Sequence, residues 1–537
     1  RNRPIGRCGG RGSFRETVTV SLNKLEKENV NKNSKMDTPE SIKTTLDKKN
    51  ISVDEMATFC KRKGFVYQSG EIYGGLAGFW DFGPVGVEMK NNIKKEWWNF
   101  HVVSREDVVG IDGSIITHPG VWKASGHVDK FIEFVVVCKK CGNKTKVDKY
   151  EIEKARCEKC GGEFENKGEF NPMFSVEVGF ASSGSMRAYL RPETAQLIFA
   201  NFKNVYENSR AKLPFGIAQV GKSFRNEISP RDFLFRSREF EQMEMEYFVN
   251  PKDEKCPYDI PDAEIFVYSS EMQEKNEEQV KMKISKALEK GIIKKAWHAY
   301  WLASEFLWFV NLGANSDNFR IRQHRKDELS HYSSDTWDLE YKFPFGWKEL
   351  EGIADRGDFD LKQHENSSKK DLKIFDEDLK EKILPNVVCE PSLGVERAFL
   401  VFMFDSYFYD SKRENIILKL HPKISPIKAA IFPIVKTNPE IVALSRGIYD
   451  ELKKEFNVIY DASGSIGRRY SRNDEIGTPF CITIDETSLK NREVTIRLRD
   501  TTEQIKIKAE KISQFLREGI SGKDISNFGK VIHTRKK

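Results

Sequence analysis

At 537 residues the chain exceeds what one hydrophobic core supports, and roughly two to four domains are expected. Hydrophobic content of 39% and aromatic content of 12% suffice for a packed globule, while no apolar run approaches the ~20 residues of a membrane-spanning helix. A net charge of +7 suits a polyanionic partner without requiring one. Nine cysteines, four of them in two CxxC units, point to a reducing compartment with a metal site and not to a disulfide framework.

Over the first 35 residues nine basic side chains face only Glu16, Glu26 and Glu28. An arginine-rich, acid-poor start reads either as an organellar presequence or as sequence upstream of a start at Met36. Residues 1–50 are expected to form a disordered basic extension. Ser52 is placed to cap a helix running to Lys63. Gly74-Gly75-Leu76-Ala77-Gly78 lacks the lysine and the spacing of a phosphate loop, so it reads as a tight turn. After Gly83-Pro84, the run Val87, Ile93, Trp97, Trp98 and Phe100 has helical periodicity.

Cys138-x2-Cys141 and Cys157-x2-Cys160 are separated by fifteen residues, and Gly142 and Gly161 follow each pair. Four thiolates close a tetrahedral zinc site with no position left for water, so a zinc ion there holds structure. A zinc-ribbon insertion is expected over 138–168. Further on, Phe224-Arg225-Asn226-Glu227 and Arg236-Ser237-Arg238-Glu239-Phe240 read as two strands joined by a turn at Ser229-Pro230-Arg231-Asp232. Alone, this is as readily an ordinary charged hairpin. Gly394-Val395-Glu396-Arg397 then opens an apolar helix, Ala398 to Phe404. Guanidinium forks from separate segments suit a polyphosphate, and an aromatic ring can stack on a purine.

Residues 250–330, rich in Lys and Glu, are expected to be an insertion holding one long amphipathic helix from about Ala263 to Leu288, then an aromatic run from Trp297 to Phe309. His324 and His331 read as structural. After the proline-punctuated linker His421 to Pro426, strands at Ala429–Ile434, Asn457–Asp461, Phe480–Ile484 and Glu493–Leu498 alternate with helices at Ile441–Phe456 and Thr502–Phe515. That is a compact α/β domain over 420–525, followed by a basic tail, 526–537. Ser465 to Arg472 carries three arginines and a tyrosine, suited to RNA phosphates and bases, or equally to a helix start with a basic surface.

The Arg225 and Arg397 segments resemble the second and third signature motifs of class II aminoacyl-tRNA synthetases. Arg191-Pro192-Glu193-Thr194-Ala195-Gln196, Arg225 to Arg231, Glu390-Pro391-Ser392-Leu393-Gly394 and Asp461 to Tyr470 narrow the resemblance to glycyl-tRNA synthetases of the homodimeric kind. It extends from about Phe59 to about Gln514. It implies an α+β fold: a class II catalytic core over 51–415, built on an antiparallel sheet flanked by helices, and a C-terminal anticodon-binding domain. The helix after Pro84, the strand near Val108-Val109 and Pro119 would form the first signature motif, at the dimer interface. A cytoplasmic enzyme is implied, organellar if the basic start is a presequence.

The resemblance also assigns roles. Arg225, Arg397 and Glu227 would be catalytic. Arg225 would hold the α-phosphate of ATP and the glycine carboxylate, while Arg397 and Arg236 would hold the terminal phosphate. Phe240 would stack on adenine, and Glu227 would accept from its amino group. Asn226, Phe235, Glu349, Leu350 and Gly394 would complete the ATP site, with magnesium bridging the phosphates through carboxylates such as Glu349 and Glu390. Glu193, Glu244 and Glu390 would take the ammonium of glycine, with Ser392 and Phe240 lining the pocket. Crowding about the α-carbon excludes alanine and serine, so no editing domain is needed. Arg468, Arg469 and Arg472 would touch the glycine tRNA. Two other classes are weighed: a catalytically silent synthetase relative, disfavoured because both signature arginines are present, and a class II enzyme for serine or threonine.

Overall fold

The computed structural model describes residues 51–146, 155–179, 184–252, 255–330, 333–376 and 380–532. The basic extension, residues 533–537 of the tail, His331 and Tyr332 lie outside the described residues.

Helix α1 (Val53–Lys63) begins where its cap predicts. The Ser52 hydroxyl accepts from Glu55 N, the Glu55 carboxylate accepts from Ser52 N, and Gly64 closes the helix at φ 78°. The glycines that follow make a turn: Gly74, Gly75 and Gly78 all have positive φ. Helix α2 (Pro84–Trp98) starts with proline in its first turn and buries Met89, Ile93 and Trp97. Then come β1 (Val108–Ile111) and the four-residue helix α3 (His127–Lys130). Two strands of a small separate sheet follow, β2 (Glu133–Cys138) and β3 (Phe164–Phe170).

Next are α4 (Ala195–Ser209), β4 (Phe215–Phe224), β5 (Glu239–Val249), β6 (Glu264–Tyr268), β7 (Val280–Lys283) and α5 (Ala296–Asn311). The core closes with β8 (Phe319–Gln323), β9 (Asp335–Phe343), β10 (Gly346–Asp355), β11 (Asn386–Gly394) and α6 (Val395–Ser406). Nine of these strands form one sheet in the order β7-β6-β8-β9-β10-β11-β5-β4-β1. Pairing is antiparallel except for β4 with β1 and β6 with β8.

Alternation along β5 decides what each face carries. Met243, Met245 and Tyr247 turn into the main core, where Trp297 and Trp301 of α5 lie 4.9 and 5.4 Å from the Tyr247 ring. On the opposite face, Phe248 packs on Phe199 and Phe202 of α4. Between α4 and the far strands that second face carries the polar residues of the cleft.

The long helix expected over 263–288 is not formed. Ile265 and Val267 are fully buried while Glu264 stays exposed, a period of two that belongs to a strand, and the chain returns antiparallel from Val280 to Lys283. Only short helices, Ser270–Glu274 and Ile284–Glu289, remain. Within residues 250–330, β6, β7 and β8 extend the core sheet.

The C-terminal domain contains β12 (Ala429–Pro433), α7 (Pro439–Leu452), β13 (Val458–Tyr460), α8 (Ile466–Glu475), β14 (Phe480–Ile484), β15 (Glu493–Leu498), β16 (Gln504–Lys508), α9 (Ile512–Ile520) and β17 (Lys530–Ile532). Its mixed sheet runs β13-β12-β14-β15-β16-β17. The helix expected from Thr502 starts only at Ile512, because Ile505 and Ile507 alternate inward as strand residues. The described part of the expected tail is likewise built in, as edge strand β17 on β16.

Gly86 shows how closely α2 approaches the chain before it. A Cβ at this position would lie 1.9 Å from the Phe65 carbonyl oxygen, so backbone, not a side chain, would have to yield. Gly86→Ala should therefore lower unfolding free energy by about 1–3 kcal/mol. Urea denaturation checks this, and an unchanged midpoint would refute the tight crossing.

Candidate active site

The β4–β5 pair runs from Phe215 opposite Phe248 to Phe224 opposite Glu239 and stops there. Arg225, Asn226, Glu227 and Arg236 accordingly sit in the connection and not on the strands, a correction to the hairpin expected. The connection is longer than the turn read at 229–232 and includes a short 3-10 turn, Phe233–Phe235. It is ordered by backbone bonds, Arg225 N to Arg238 O at 2.9 Å and Asn226 N to Pro172 O at 2.7 Å.

The two signature arginines both act on one carboxylate, Glu349. Arg225 donates to Pro192 O at 2.9 Å, and its guanidinium lies 5.5 Å from the Phe240 ring. Arg397, in the first turn of α6, donates to Glu349 O at 2.9 Å and lies 3.2 Å from Glu349 Oε1. Its guanidinium rests on Phe235, 4.6 Å from the centroid, and Phe235 in turn touches Phe343 and Phe345. Arg397 foremost, then Arg225 and His324, hold the Glu349 carboxyl below its ordinary range. That carboxylate feels both arginines at once. Arg236 Nε is 3.8 Å from Glu227 Oε2, an oxygen that is buried without a hydrogen-bond partner. Leu350 is different. The β9–β10 register slips beside it and its side chain enters the core, so only its backbone faces the cleft edge.

A second group of side chains lies deeper. Reading β5 by twos, Phe240 is followed by Gln242, Glu244 and Glu246, all on the cleft face. Glu244 stands opposite Ser392 of β11, whose hydroxyl donates to Glu244 Oε1 at 2.6 Å, and Thr194 donates to the other oxygen. Glu193 lies 3.2 Å from His127 Nε2 and accepts from Gln196 at 3.1 Å. Glu390 accepts from Arg356 at 2.7 Å, and the same guanidinium donates twice to Asp360, at 2.7 and 2.8 Å. Both Glu246 oxygens are buried without a hydrogen-bond partner.

These carboxyls differ in charge state. Burial alone would raise all of them, and it carries Glu390 to about 8 against the opposing pull of Arg356. Burial and the nearby Glu193 raise Glu244, and burial with Glu390 raises Glu246 still further. Glu193 goes the other way: His127, then Arg356 and Arg225, outweigh its burial and hold it well below the carboxylate range. The pocket therefore combines one firmly ionised carboxylate with groups that ionise on demand, an arrangement fit for a small cation.

Behind the cleft, Lys90 of α2 is 4% exposed. Its Nζ lies 2.8 Å from Glu396 Oε1 and 2.9 Å from Glu241 Oε1, and Glu241 N donates to Glu396 Oε2 at 2.9 Å. Glu396 precedes Arg397 and Glu241 follows Phe240, so this network sets the distance between the strand and helix that bear them.

The four predicted cysteines converge. All four sulfurs lie within 4.8 Å of one another, with Cys138 to Cys160 at 3.4 Å and Cys141 to Cys157 at 3.6 Å. Gly142 and Gly161 turn with φ of 69° and 67°, as a knuckle needs. Zinc–sulfur bonds of about 2.3 Å set tetrahedral sulfur separations near this range. At Cys138, burial resists ionisation but the N–H groups of Cys141 and Lys140 outweigh it, bringing the thiol to about 6. The donor set fits zinc.

On α8 the three arginines part company. Arg468 is exposed. Arg472 pairs with Asp461 Oδ2 at 2.5 Å. Arg469 is 3% exposed and donates to the carbonyls of Pro433, Ala462 and Gly464; it holds the domain together and is turned away from any RNA, contrary to expectation. Tyr470 bonds Thr483 at 2.8 Å. His324, read as structural, pairs with Asp338 at 2.8 Å.

Sequence reasoning missed Arg356, Asp360, Glu246 and His127. The i, i+4 spacing of Arg356 and Asp360 was the one local signal; the others carry none. No helix among the described residues is long and apolar enough to cross a membrane.

Residues 174–405 match the tRNA synthetase class II core domain (G, H, P, S and T), and residues 428–519 match the anticodon binding domain. The glycine–tRNA ligase of Thermobifida fusca is 40% identical over 500 residues, spanning 88% of this chain and 99% of that protein. Those of Borrelia hermsii and Geobacillus kaustophilus are each 42% identical, over 481 and 502 residues, spanning 88% of this chain and 98% and 99% of theirs.

Proposed function

The chain belongs to the glycine–tRNA ligase family, built on the class II tRNA synthetase core, and on that premise we propose that it activates glycine with ATP and passes the glycyl group to the glycine tRNA. The observation that carries this reading is the shared cleft: Arg225 and Arg397 both act on Glu349, and Arg225 also acts on Glu193 of the buried acidic pocket. One guanidinium thus stands between the nucleotide side and the amino-acid side.

The glycine carboxylate attacks the α-phosphate, pyrophosphate leaves, and glycyl-adenylate forms; the tRNA hydroxyl then takes the glycyl group and AMP leaves. Two anions must meet in the first step, and Arg225 offsets their repulsion as charge builds between them. Phe240 takes one face of adenine. The unpartnered Glu227 Oε2 accepts from its amino group. Arg397 and Arg236 receive the terminal phosphate. Glu349 would be the carboxylate to hold magnesium, which would supply positive charge against the phosphates, because Glu390 is buried against Arg356. Glu390 serves the ammonium instead, with Glu193 and Glu244, and Ser392 narrows the pocket. The four cysteines would hold zinc, which would supply structure. Arg468 and Arg472 are the tRNA contacts, and a second copy of the chain completes a homodimer.

Arg225→Ala should cut glycine-dependent pyrophosphate exchange at least about a hundredfold while light scattering still reports a dimer. Near-normal exchange would remove the assignment, and exchange by the parent with serine or threonine in place of glycine would redirect it. For Glu390, the sign follows from its raised pKa: below about 8 it is neutral and offers the ammonium little. The KM for glycine should therefore fall from about pH 6.5 to about pH 8.5, by up to about tenfold per unit. Glu390→Gln should flatten that profile. Cys138→Ser should lower both thermal stability and bound zinc, measured by metal analysis; unchanged stoichiometry would discredit the four-thiolate site.

A further inference from the structure

Resting on that reading of the pocket, we propose that His127 is a positioning residue for glycine recognition, holding the Glu193 carboxylate correctly aimed, and that the root of the cysteine module holds His127 in turn. His127 Nε2 faces Glu193 Oε2 at 3.2 Å, with both side chains mostly buried. The other ring nitrogen is 2.8 Å from Ser125 Oγ, which itself donates to Trp122 O at 3.2 Å. Edge contacts with Trp122 and Phe131, at 5.3 and 5.5 Å, leave the ring little freedom. Among the groups acting on Glu193, His127 is the strongest that favours the charged form.

What fixes the backbone of His127 comes from the far end of the cysteine module. The module begins at β2, directly after α3, and ends at β3, and Glu133 pairs with Phe170 where the two strands enter and leave. The next residue, Asn171, donates through Nδ2 to the carbonyls of His127 and Val128, at 2.9 and 3.1 Å. Its Oδ1 accepts from Met173 N at 2.9 Å, which locks the amide's orientation. Pro172 O then accepts from Asn226 N in the β4–β5 connection. The root of the module therefore joins both halves of the cleft: through His127 to the ammonium pocket, and through Pro172 to the nucleotide loop. A ribbon that served only as a folded appendage would need neither link.

The test compares two substitutions of similar length in the full chain, His127→Gln, which still offers a donor near Nε2, and His127→Met, which does not. In pyrophosphate exchange, His127→Met should raise the KM for glycine about tenfold to a hundredfold, with the KM for ATP within about twofold of the parent. His127→Gln should recover most of the loss, and Asn171→Ala should shift the glycine KM in the same direction as His127→Met without changing metal content. Equal glycine KM values for the Gln and Met variants, or KM values for glycine and ATP that rise together, would overturn the proposal. Glu193→Gln separates the two levels: if it leaves the glycine KM unchanged, the pocket reading itself is wrong; if it raises that KM and His127→Met does not, only the role of His127 falls.

Discussion

Arg356 holds Asp360 by two bonds and Glu390 by a third, all below the surface. Gathering Glu193, Glu244, Glu246, Glu390 and Asp360 into one interior region is opposed by desolvation of several kcal/mol per ion and by their mutual repulsion. One delocalised guanidinium, fully ionised and planar, is the group best suited to offset that. Arg356 ties Asp360 to Glu390, and the half of the site proposed for the amino acid is built around it. Glu193, beside His127, is held below the carboxylate range, whereas burial raises Glu244, Glu246 and Glu390.

The half proposed for the nucleotide is organised differently. Its cations come from segments far apart in sequence and are held by carbonyls and by aromatic faces: Arg225 on Pro192 O and Phe240, Arg397 on Glu349 and Phe235. The carbonyl and ring contacts place the guanidinium groups in advance, as charge-stabilising groups must be placed before reaction, although Arg397 also pairs with the Glu349 carboxylate. The strands that carry these elements are neighbours in the sheet, so sheet register sets the distance between the two halves.

What was legible in sequence was whatever is decided locally. The capping box at Ser52, the two CxxC turns and the proline-led start of α2 all depend on residues within a few positions of each other, and each stands as read. The strands at 264–268 and 504–508 were misread as helix because lysine and glutamate favour helices in isolation, while pairing with distant strands decided the outcome. Arg469 shows the same limit on a helix. It shares a face with Asn473, which is buried as well, and no count of basic residues in Ser465 to Arg472 reveals which arginine turns inward. His127, Glu246 and Arg356 gain their meaning only when α3, β5 and the turn after β10 come together, and nothing near them in the chain announces it.

The network behind the cleft has a consequence for how this sequence can drift over time. Lys90 and Lys94 of α2 offset Glu241 and Glu396 in a largely buried network, on three elements far apart in the chain. Losing Lys90 leaves the buried Glu396 without its cation, whereas exchanging the whole set for apolar side chains of similar size need not weaken the fold. Changes at Lys90 alone are therefore opposed, and descendants should retain the network or discard it together.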